Sequence, residues 1–390
     1  MHQLAQRTAA LTPSLTLAID AKAKKLKAEG LDVCGFGAGE PDFDTPQHIK
    51  DAAAAALAAG FTKYTPSSGI AELRAAIAEK LKNDNGLDYK PSQVIVNCGA
   101  KHSCYNVIVA TCQAGDEVII PAPYWLSYPE MVKLADASPV IVETTEASGF
   151  KITPEQFREA MTPATKLIIL NSPGNPTGTV YSREELQALA EVALEEDILM
   201  LSDEIYEKIT YDGVQPVSLA SLGQQVYDLT ITVNGFSKAY AMTGWRLGYV
   251  AAPEPIAAAI DSIQSHSTSN PTSFAQKGAV AALKGDQSFI AKMVTAFAER
   301  RAYIYDRLTK IPGVTCVKPM GAFYMLPNIS SFGLGSTDFA SKLLDEQKVA
   351  VVPGIAFGSD AHVRLSYACS MENIQKGLDR IEAFCASLAK

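Results

Sequence analysis

The sequence predicts an α/β protein whose larger part contains a mostly parallel, seven-stranded sheet covered by helices. The middle of the chain alternates short β-branched runs with longer helical patterns, such as residues 184–196. Alternation of this kind is typical of parallel sheets with helices on both faces. The chain has 390 residues, which is long enough for two domains.

Seven strands are predicted in the first part of the chain. They span residues 94–97, 117–120, 140–142, 167–170, 199–202, 230–233 and 247–250. The later pattern differs, with a long helix at 286–311, short strands at 313–317, 322–326, 349–352 and 362–366, and a closing helix at about 371–389. We therefore expect a large domain over residues 46–285 and a smaller α+β domain from residues 1–45 and 286–390.

Composition excludes several classes of protein. Hydrophobic residues make up 47% of the chain and charged residues 19%, as in ordinary globular proteins. A net charge of -8 argues against nucleic-acid and membrane partners. The seven cysteines are scattered without paired spacing, so we expect no metal site, no disulfide framework and a reducing compartment. Residues 1–30 lack a signal-peptide core, and no apolar run reaches membrane-spanning length, so a cytoplasmic location is predicted.

Lys238 is the first candidate for chemistry. It follows the strand predicted at 230–233 in the string ITVNGFSKAYAMTGWRLGYV, and no other charge occurs nearby until Arg246. Partial burial would lower the pKa of this lysine and leave a neutral amine that can attack a carbonyl. The commonest use of such a lysine is a Schiff base to pyridoxal 5'-phosphate (PLP), and the alternative is an ordinary surface lysine.

A PLP lysine requires an anion beside the pyridine nitrogen of the cofactor. Asp203 directly follows the apolar run at 198–202 and can fill this role, although a helix-capping aspartate is the alternative. Glu204 would point to the opposite side of the strand. Tyr206 could project into the same space as Asp203 and reach the ring hydroxyl.

The cofactor phosphate requires N–H donors and cations. Gly99 and Ala100 lie in a small-residue turn that opens a helix near His102, where free N–H groups bind anions. A generic turn is the alternative reading. Ser237 and Arg246, on either side of Lys238, can add a hydroxyl and a guanidinium.

Three further residues could contact the ring or the substrate. Asn175 lies in a loop rich in proline and glycine, which is either a rigid turn or a support for an amide on the ring hydroxyl. Trp125 could stack on a flat ring or be a core aromatic. Arg364 lies within a predicted strand, facing either solvent or a substrate α-carboxylate.

Together these residues resemble the fold-type I PLP-dependent aminotransferases, and in particular the aspartate aminotransferases of subgroup Iβ. The resemblance covers residues 4–385. It is carried by AGEPDFDTP at 38–46, KYTPSSGI at 63–70, PYWLSYPE at 123–130, SPGNPTG at 172–178, SDEIYE at 202–207, KAYAMTGWRLGY at 238–249 and RLSYA at 364–368.

The resemblance implies a role for each position. Lys238 would be the Schiff-base lysine and general base, Asp203 the pyridinium partner, Asn175 and Tyr206 the partners of the ring hydroxyl, and Trp125 the stacking residue. Gly99, Ala100, Lys101, Ser237 and Arg246 would bind the phosphate, Gly39 would lie beside the substrate, and Arg364 would bind the α-carboxylate. Tyr64 would reach the cofactor of a neighbouring subunit, which implies a homodimer with shared active sites.

Specificity rests on fewer residues. By resemblance, Lys101 with Ser14 and Thr16 would bind the distal carboxylate, and an extended start after Pro13 would place both hydroxyls on one face. No dedicated arginine for that carboxylate is evident in residues 265–272. The subgroup often has a basic residue, linked to prephenate, where this chain has Thr12, so prephenate is expected to be a poor acceptor.

The predicted activity is ping-pong transfer of the amino group of aspartate to 2-oxoglutarate, which yields oxaloacetate and glutamate. Aromatic, prephenate or alanine aminotransferases and a PLP lyase of the same fold are alternatives. A non-catalytic PLP- or effector-binding module is an alternative from another class, disfavoured by the complete set of site residues. The string GFGAGE at 35–40 lacks the third glycine of a dinucleotide fingerprint, so an NAD enzyme is rejected.

Overall fold

A computed structural model describes residues 5–11 and 15–388. The chain opens with helices α1 (Gln6–Ala9) and α2 (Leu15–Ala28), followed by the short strand β1 (Cys34–Gly35). Helix α2 is rich in alanine, leucine and lysine, which favour helix formation. Within the described ranges, none of the helices combines the length and apolar character that crossing a bilayer requires.

The large sheet contains seven strands, as predicted. They are β2 (Val94–Asn97), β3 (Glu117–Ala122), β4 (Ser138–Glu143), β5 (Thr165–Asn171), β6 (Leu199–Asp203), β7 (Thr230–Gly235) and β8 (Gly248–Ala251). Their order across the sheet is β2-β8-β7-β6-β5-β3-β4. Only β8 runs antiparallel to its neighbours β2 and β7, so the prediction of a mostly parallel sheet is confirmed.

Helices cover both faces of this sheet. They are α3 (Gln47–Ala58), α4 (Ala71–Asn85), α5 (Ala100–Thr111), α6 (Ser127–Leu134), α7 (Pro154–Ala160), α8 (Arg183–Glu195), α9 (Gln224–Leu229), α10 (Glu254–Ser267) and α11 (Ser273–Lys284). In β2, Val94 and Val96 pack with residues of α4 and α11, whereas Ile95 packs with α5 and α10 on the other face. Side chains of a strand alternate between faces, so apolar residues at successive positions bury both sides of the sheet.

The last hundred residues contribute most of another hydrophobic core, which also contains Cys34, Phe36 and four residues between positions 205 and 211. Two small sheets lie in this region. The elements of the region are α12 (Ser288–Thr309), β9 (Tyr324–Met325), α13 (Ser336–Gln347), β10 (Val349–Ala350), β11 (Val352–Pro353), β12 (Val363–Ser366) and α14 (Met371–Leu388). Strand β10 pairs with β1, while β11, β12 and β9 form an antiparallel sheet. The division into domains at residues 45 and 285 remains a prediction.

Two of the predicted strands differ in this region. Residues 313–317 form no strand, because only Thr315 makes a bridge, to Asn328, and one bridge is not a ladder. The run at 349–352 is split between β10 and β11, because its two halves pair with different strands. The predicted helix at 286–311 corresponds to α12, which is two residues shorter at each end, and the predicted helix at about 371–389 corresponds to α14.

Candidate active site

A cavity of about 530 Å³ lies beyond the carboxyl ends of β2, β3, β5, β6 and β7. Most of the predicted site residues line it, namely Gly39, Ala100, Lys101, Trp125, Asn175, Asp203, Tyr206, Ser237, Lys238, Arg246 and Arg364. They come from distant parts of the chain and meet because the carboxyl ends of parallel strands reach the same edge of the sheet.

Lys238 lies three residues beyond the end of β7, and its side chain is mostly buried in the cavity. Its Nζ donates a hydrogen bond to the backbone oxygen of Gly39. Burial lowers the pKa of Lys238 to about 8; the charge of Glu40 opposes this shift, and the charges of Arg364 and Arg246 add to it. A substantial share of this amine is therefore neutral near physiological pH, as a nucleophile or a base requires.

Asp203 is the last residue of β6, and only 3% of its surface is exposed. Its Oδ2 accepts a hydrogen bond of 2.6 Å from the hydroxyl of Tyr128, and its Oδ1 accepts one of 3.2 Å from the N–H of Ile205. Burial raises the pKa of Asp203 despite these bonds. Because its hydrogen-bond donors are neutral, this carboxylate is suited to a cationic group in the cavity.

Glu204, the neighbouring acid, does not line the cavity. Its carboxylate accepts hydrogen bonds of 2.8 Å from the hydroxyls of Ser202 and Ser218. Burial raises the pKa of Glu204 to about 7. Only Asp203 of the two acids is thus available to a ligand of the cavity.

The turn after β2 leads into α5, which begins at Ala100, two residues before the predicted start near His102. Gly99 has a positive φ of 89°, and a Cβ atom there would lie 2.4 Å from Nη2 of Arg246. A side chain at position 99 would thus displace the guanidinium. The free N–H groups of the first helical turn, the cation of Arg246 and the buried Ser237 form a place for an anion.

Arg364 lies in β12, and only 2% of its surface is exposed. Nη1 donates to Oδ1 of Asn175 at 3.0 Å, and Nη2 donates to the backbone oxygen of Gly37 at 2.9 Å. The rings of Tyr324 and Phe357 lie 4.5 Å and 4.9 Å from its guanidinium carbon. Nε has no partner among the described residues, which leaves a buried donor that an incoming carboxylate can satisfy.

Aromatic and cationic side chains complete the walls of the cavity. The hydroxyls of Tyr206 and Tyr324 share a hydrogen bond of 2.8 Å, and burial raises the pKa of Tyr206 well above its ordinary value. Nζ of Lys101 lies 5.0 Å from the ring centre of Trp125. Although the Lys101 side chain as a whole is exposed, desolvation near its ammonium group and the charge of Arg246 lower its pKa.

Among the predicted site residues that the structure describes in full, Gly99 and Tyr64 do not line the cavity. Tyr64 is 91% exposed and does not line the cavity of its own chain. Ser14 lies outside the described residues, as do Thr12, Pro13 and the side chain of Thr16. The expectation of an extended segment is wrong at Thr16, because its backbone already belongs to α2.

The structure also adds residues that were not predicted. Tyr128 contacts Asp203, Tyr324 contacts Tyr206, and the carboxylate of Glu40 accepts a hydrogen bond of 2.8 Å from Thr243. Tyr128 belongs to the string PYWLSYPE and Glu40 to AGEPDFDTP, so both lie within motifs that carry the family resemblance and could have been considered as site residues. Tyr324 lies on a two-residue strand in the later part of the chain, where the sequence contained no pointer to the cavity.

Comparisons with known proteins agree with this geometry. The family model described as aminotransferase class I and II matches residues 32–381. The chain is 55% identical to an aspartate aminotransferase of Bacillus subtilis (strain 168), over 98% of both chains. It is 50% identical to an aspartate/prephenate aminotransferase of Cereibacter sphaeroides (strain ATCC 17029 / ATH 2.4.9), over 100% of both. A solved structure of the aspartate aminotransferase from Thermus thermophilus with maleate is similar at a TM-score of 0.95 and 45% identity, covering 98% of this chain and 100% of the other.

Proposed function

Because this chain belongs to the class I and II aminotransferases, we propose that it transfers the amino group of aspartate to 2-oxoglutarate, yielding oxaloacetate and glutamate. The observation that carries this proposal is the convergence of Lys238, Asp203 and Arg364 on one cavity. The choice of aspartate is supported by the 55% identity to the Bacillus subtilis aspartate aminotransferase over nearly the whole chain.

PLP is the cofactor that these residues fit. The buried carboxylate of Asp203, with neutral donors only, suits the protonated ring nitrogen. Because Gly99 has no side chain, the guanidinium of Arg246 can lie close to the turn that begins α5. This cation and the N–H groups of the turn suit the phosphate. Lys238 has a lowered pKa, so its neutral amine could bind the carbon of PLP at which the amino group is exchanged. Trp125 would stack on the ring, while Asn175 and Tyr206 would contact its hydroxyl.

The chain's own residues would divide the reaction between them. When bound, PLP supplies an electrophilic carbon that carries the amino group and a ring that accepts negative charge. Nζ of Lys238 would take the proton from the α-carbon of the substrate and deliver it, within the same half-reaction, to the carbon of the cofactor that keeps the amino group. In the second half-reaction it would move a proton in the opposite direction. The negative charge of Asp203 would stabilise a positive charge on the ring nitrogen. The first 2-oxo acid leaves before the second binds, so the kinetics are ping-pong.

The substrate carboxylates would bind to two different cations. Nε of Arg364 has no partner among the described residues, and Nη1 and Nη2 donate to Asn175 and Gly37, so the fixed guanidinium would bind the α-carboxylate that every substrate shares. Lys101 at the start of α5 would bind the distal carboxylate of aspartate or glutamate. Ser14 and Thr16 remain proposed helpers for that second contact, and Gly39 would lie beside the substrate.

Two further proposals concern assembly and location. Tyr64, exposed in this chain, would contact the cofactor phosphate of a second copy, so the active enzyme would be a homodimer with shared sites. A cytoplasmic location is proposed from the seven scattered cysteines of the sequence.

The proposal is tested by steady-state rates on a panel of amino acids with 2-oxoglutarate and oxaloacetate as acceptors. We expect a yellow protein that borohydride labels at Lys238, with the highest kcat/KM for aspartate and glutamate. Lys238→Ala is the matched control and should lose both the label and the activity. A protein that takes up no PLP contradicts the proposed cofactor, and equal rates on alanine and aspartate contradict the proposed substrate.

Prephenate is a second candidate acceptor, since a relative of 50% identity over its full length carries the name aspartate/prephenate aminotransferase. Thr12 supplies no cation for a second carboxylate of prephenate, so we still expect a low kcat/KM with it. Including prephenate in the panel distinguishes an aspartate aminotransferase from an aspartate/prephenate aminotransferase. A rate with prephenate equal to that with 2-oxoglutarate would contradict our expectation.

A further inference from the structure

Glu146, in the loop between β4 and α7, binds three side chains from the last hundred residues. Its Oε1 accepts hydrogen bonds from Nδ2 of Asn328 at 2.5 Å and from Nε2 of His362 at 3.0 Å. Its Oε2 accepts a bond of 3.0 Å from the hydroxyl of Thr315. Burial opposes ionisation of this carboxyl, but these three donors lower the pKa of Glu146 below its usual value.

His362 uses both of its ring nitrogens. Nε2 faces the carboxylate of Glu146 and therefore carries the proton, while Nδ1 lies 2.7 Å from the hydroxyl of Ser359 and accepts from it. The ring is 6% exposed and packs edge-on against Phe150 at 5.3 Å. A buried imidazole with both nitrogens bonded is fixed in position and in tautomer.

This pair joins two segments that both support the α-carboxylate site. His362 directly precedes β12, and Arg364 is the second residue of that strand. On the other side, Gly149 in the Glu146 loop accepts a hydrogen bond of 2.8 Å from Thr179, just beyond the loop that carries Asn175. Phe150 and Asn175 line the same small cavity.

We propose that Glu146 and His362 are positioning residues that hold Arg364 against Asn175, in the geometry that binds the substrate α-carboxylate. Neither residue lines the cavity that contains Lys238, so both act through Arg364 rather than on the substrate. Nη1 of Arg364, two residues beyond His362, donates to Asn175. The Asn175 loop is in turn connected to the Glu146 loop by the bond from Thr179 to Gly149. This inference rests on the proposed role of Arg364 in binding carboxylates.

The test compares variants of the PLP-loaded enzyme. Glu146→Ala removes all three bonds and should raise the KM of aspartate and of alanine about tenfold, with kcat within about twofold, because Arg364 loses its fixed orientation. This effect is below the roughly hundredfold cost of a 1 Å misplacement of a reacting group. Succinate, a dicarboxylate without an amino group, should also bind about tenfold more weakly by calorimetry. Glu146→Gln keeps an acceptor for His362 and should restore most of the affinity.

Asp212 provides the matched control. It accepts from Nη2 of Arg301 at 2.6 Å and from Nζ of Lys318 at 3.0 Å, so it also joins the earlier part of the chain to the last hundred residues. It does not line the cavity that contains Lys238. Asp212→Ala should lower the melting temperature without changing the KM or the affinity for succinate.

Several outcomes would overturn the inference. Wild-type affinity for succinate in folded Glu146→Ala would do so, and so would an equal rise of KM in Asp212→Ala. If Glu146→Ala does not fold, Glu146→Asp is used instead, because it keeps the negative charge on a shorter side chain. An unchanged KM in Glu146→Asp would then overturn the inference. A wild-type protein that transfers no amino group contradicts the proposed function, whereas an active wild type with an unaffected variant contradicts this inference alone.

Discussion

The pKa of Lys238 yields a prediction whose size follows from the structure. An ordinary lysine has a pKa of 10.5, and burial lowers that of Lys238 to about 8. At pH 7 the neutral fraction of the amine therefore rises from roughly 3 in 10,000 to roughly a tenth, about 300-fold. Since only the neutral amine attacks a carbonyl, the reactivity of Lys238 should rise tenfold per pH unit up to about pH 8 and then level off.

Nearby charges determine the direction in which the pKa of Lys238 should shift in two variants. Glu40 raises the pKa of Lys238, whereas Arg364 lowers it. Removing the negative charge by Glu40→Gln should therefore move the midpoint to lower pH. Removing the positive charge by Arg364→Leu should move it to higher pH.

The measurement is competitive acetylation of the cofactor-free protein at pH values from about 6 to 11, with peptides quantified by mass spectrometry. The exposed Lys82 serves as the internal reference in the same sample. A Lys238 midpoint at or above about pH 10 would refute the reasoning, because burial would then not favour the neutral amine. Shifts of the same sign in the two variants would refute the assignment of the neighbouring charges.

Three further substitutions test the remaining roles. Asp203→Ala should lower kcat far more than PLP occupancy, because a carboxylate beside the ring nitrogen raises its pKa by ~1–3 units; a near wild-type kcat in transamination assays would mean that Asp203 is only structural. Arg364→Leu should cost every amino-acid substrate about 3–5 kcal/mol in kcat/KM, since the shared α-carboxylate loses its partner, and a loss confined to acidic substrates would contradict this role. Lys101→Ala should reduce kcat/KM for aspartate and glutamate by about 10- to 150-fold, the value of one hydrogen bond to a charged group, whereas equal losses on phenylalanine would assign Lys101 to the phosphate alone.

The pattern along the chain was sufficient for the large sheet and for the residues at its edge. Each of the seven apolar runs became a strand, because strands that are buried on both faces are continuously apolar and bounded by polar turns. Lys238, Asp203 and Asn175 each follow such a run, so a parallel sheet brings them together at one edge. The chemical roles of these three residues remain predictions, and the variants above test those of Lys238 and Asp203.

Tertiary structure alone decided the contacts that join distant segments. Tyr128 contacts Asp203, and Tyr324 contacts Tyr206, only because the segments that carry them pack side by side. No spacing in the sequence predicted these two contacts. The same holds for Glu146 and His362, which are 216 residues apart.

Local propensity also left the short elements undecided. Residues 313–317 have the composition of a strand but lack a partner for a ladder, and residues 349–352 are divided between two sheets. Strand formation depends on hydrogen bonds to another segment, and a single segment cannot specify its partner. The sequence by itself therefore determined the large sheet, its strands and the residues at its edge. The packing of the last hundred residues decided how Arg364 and the residues that hydrogen-bond to it complete the site.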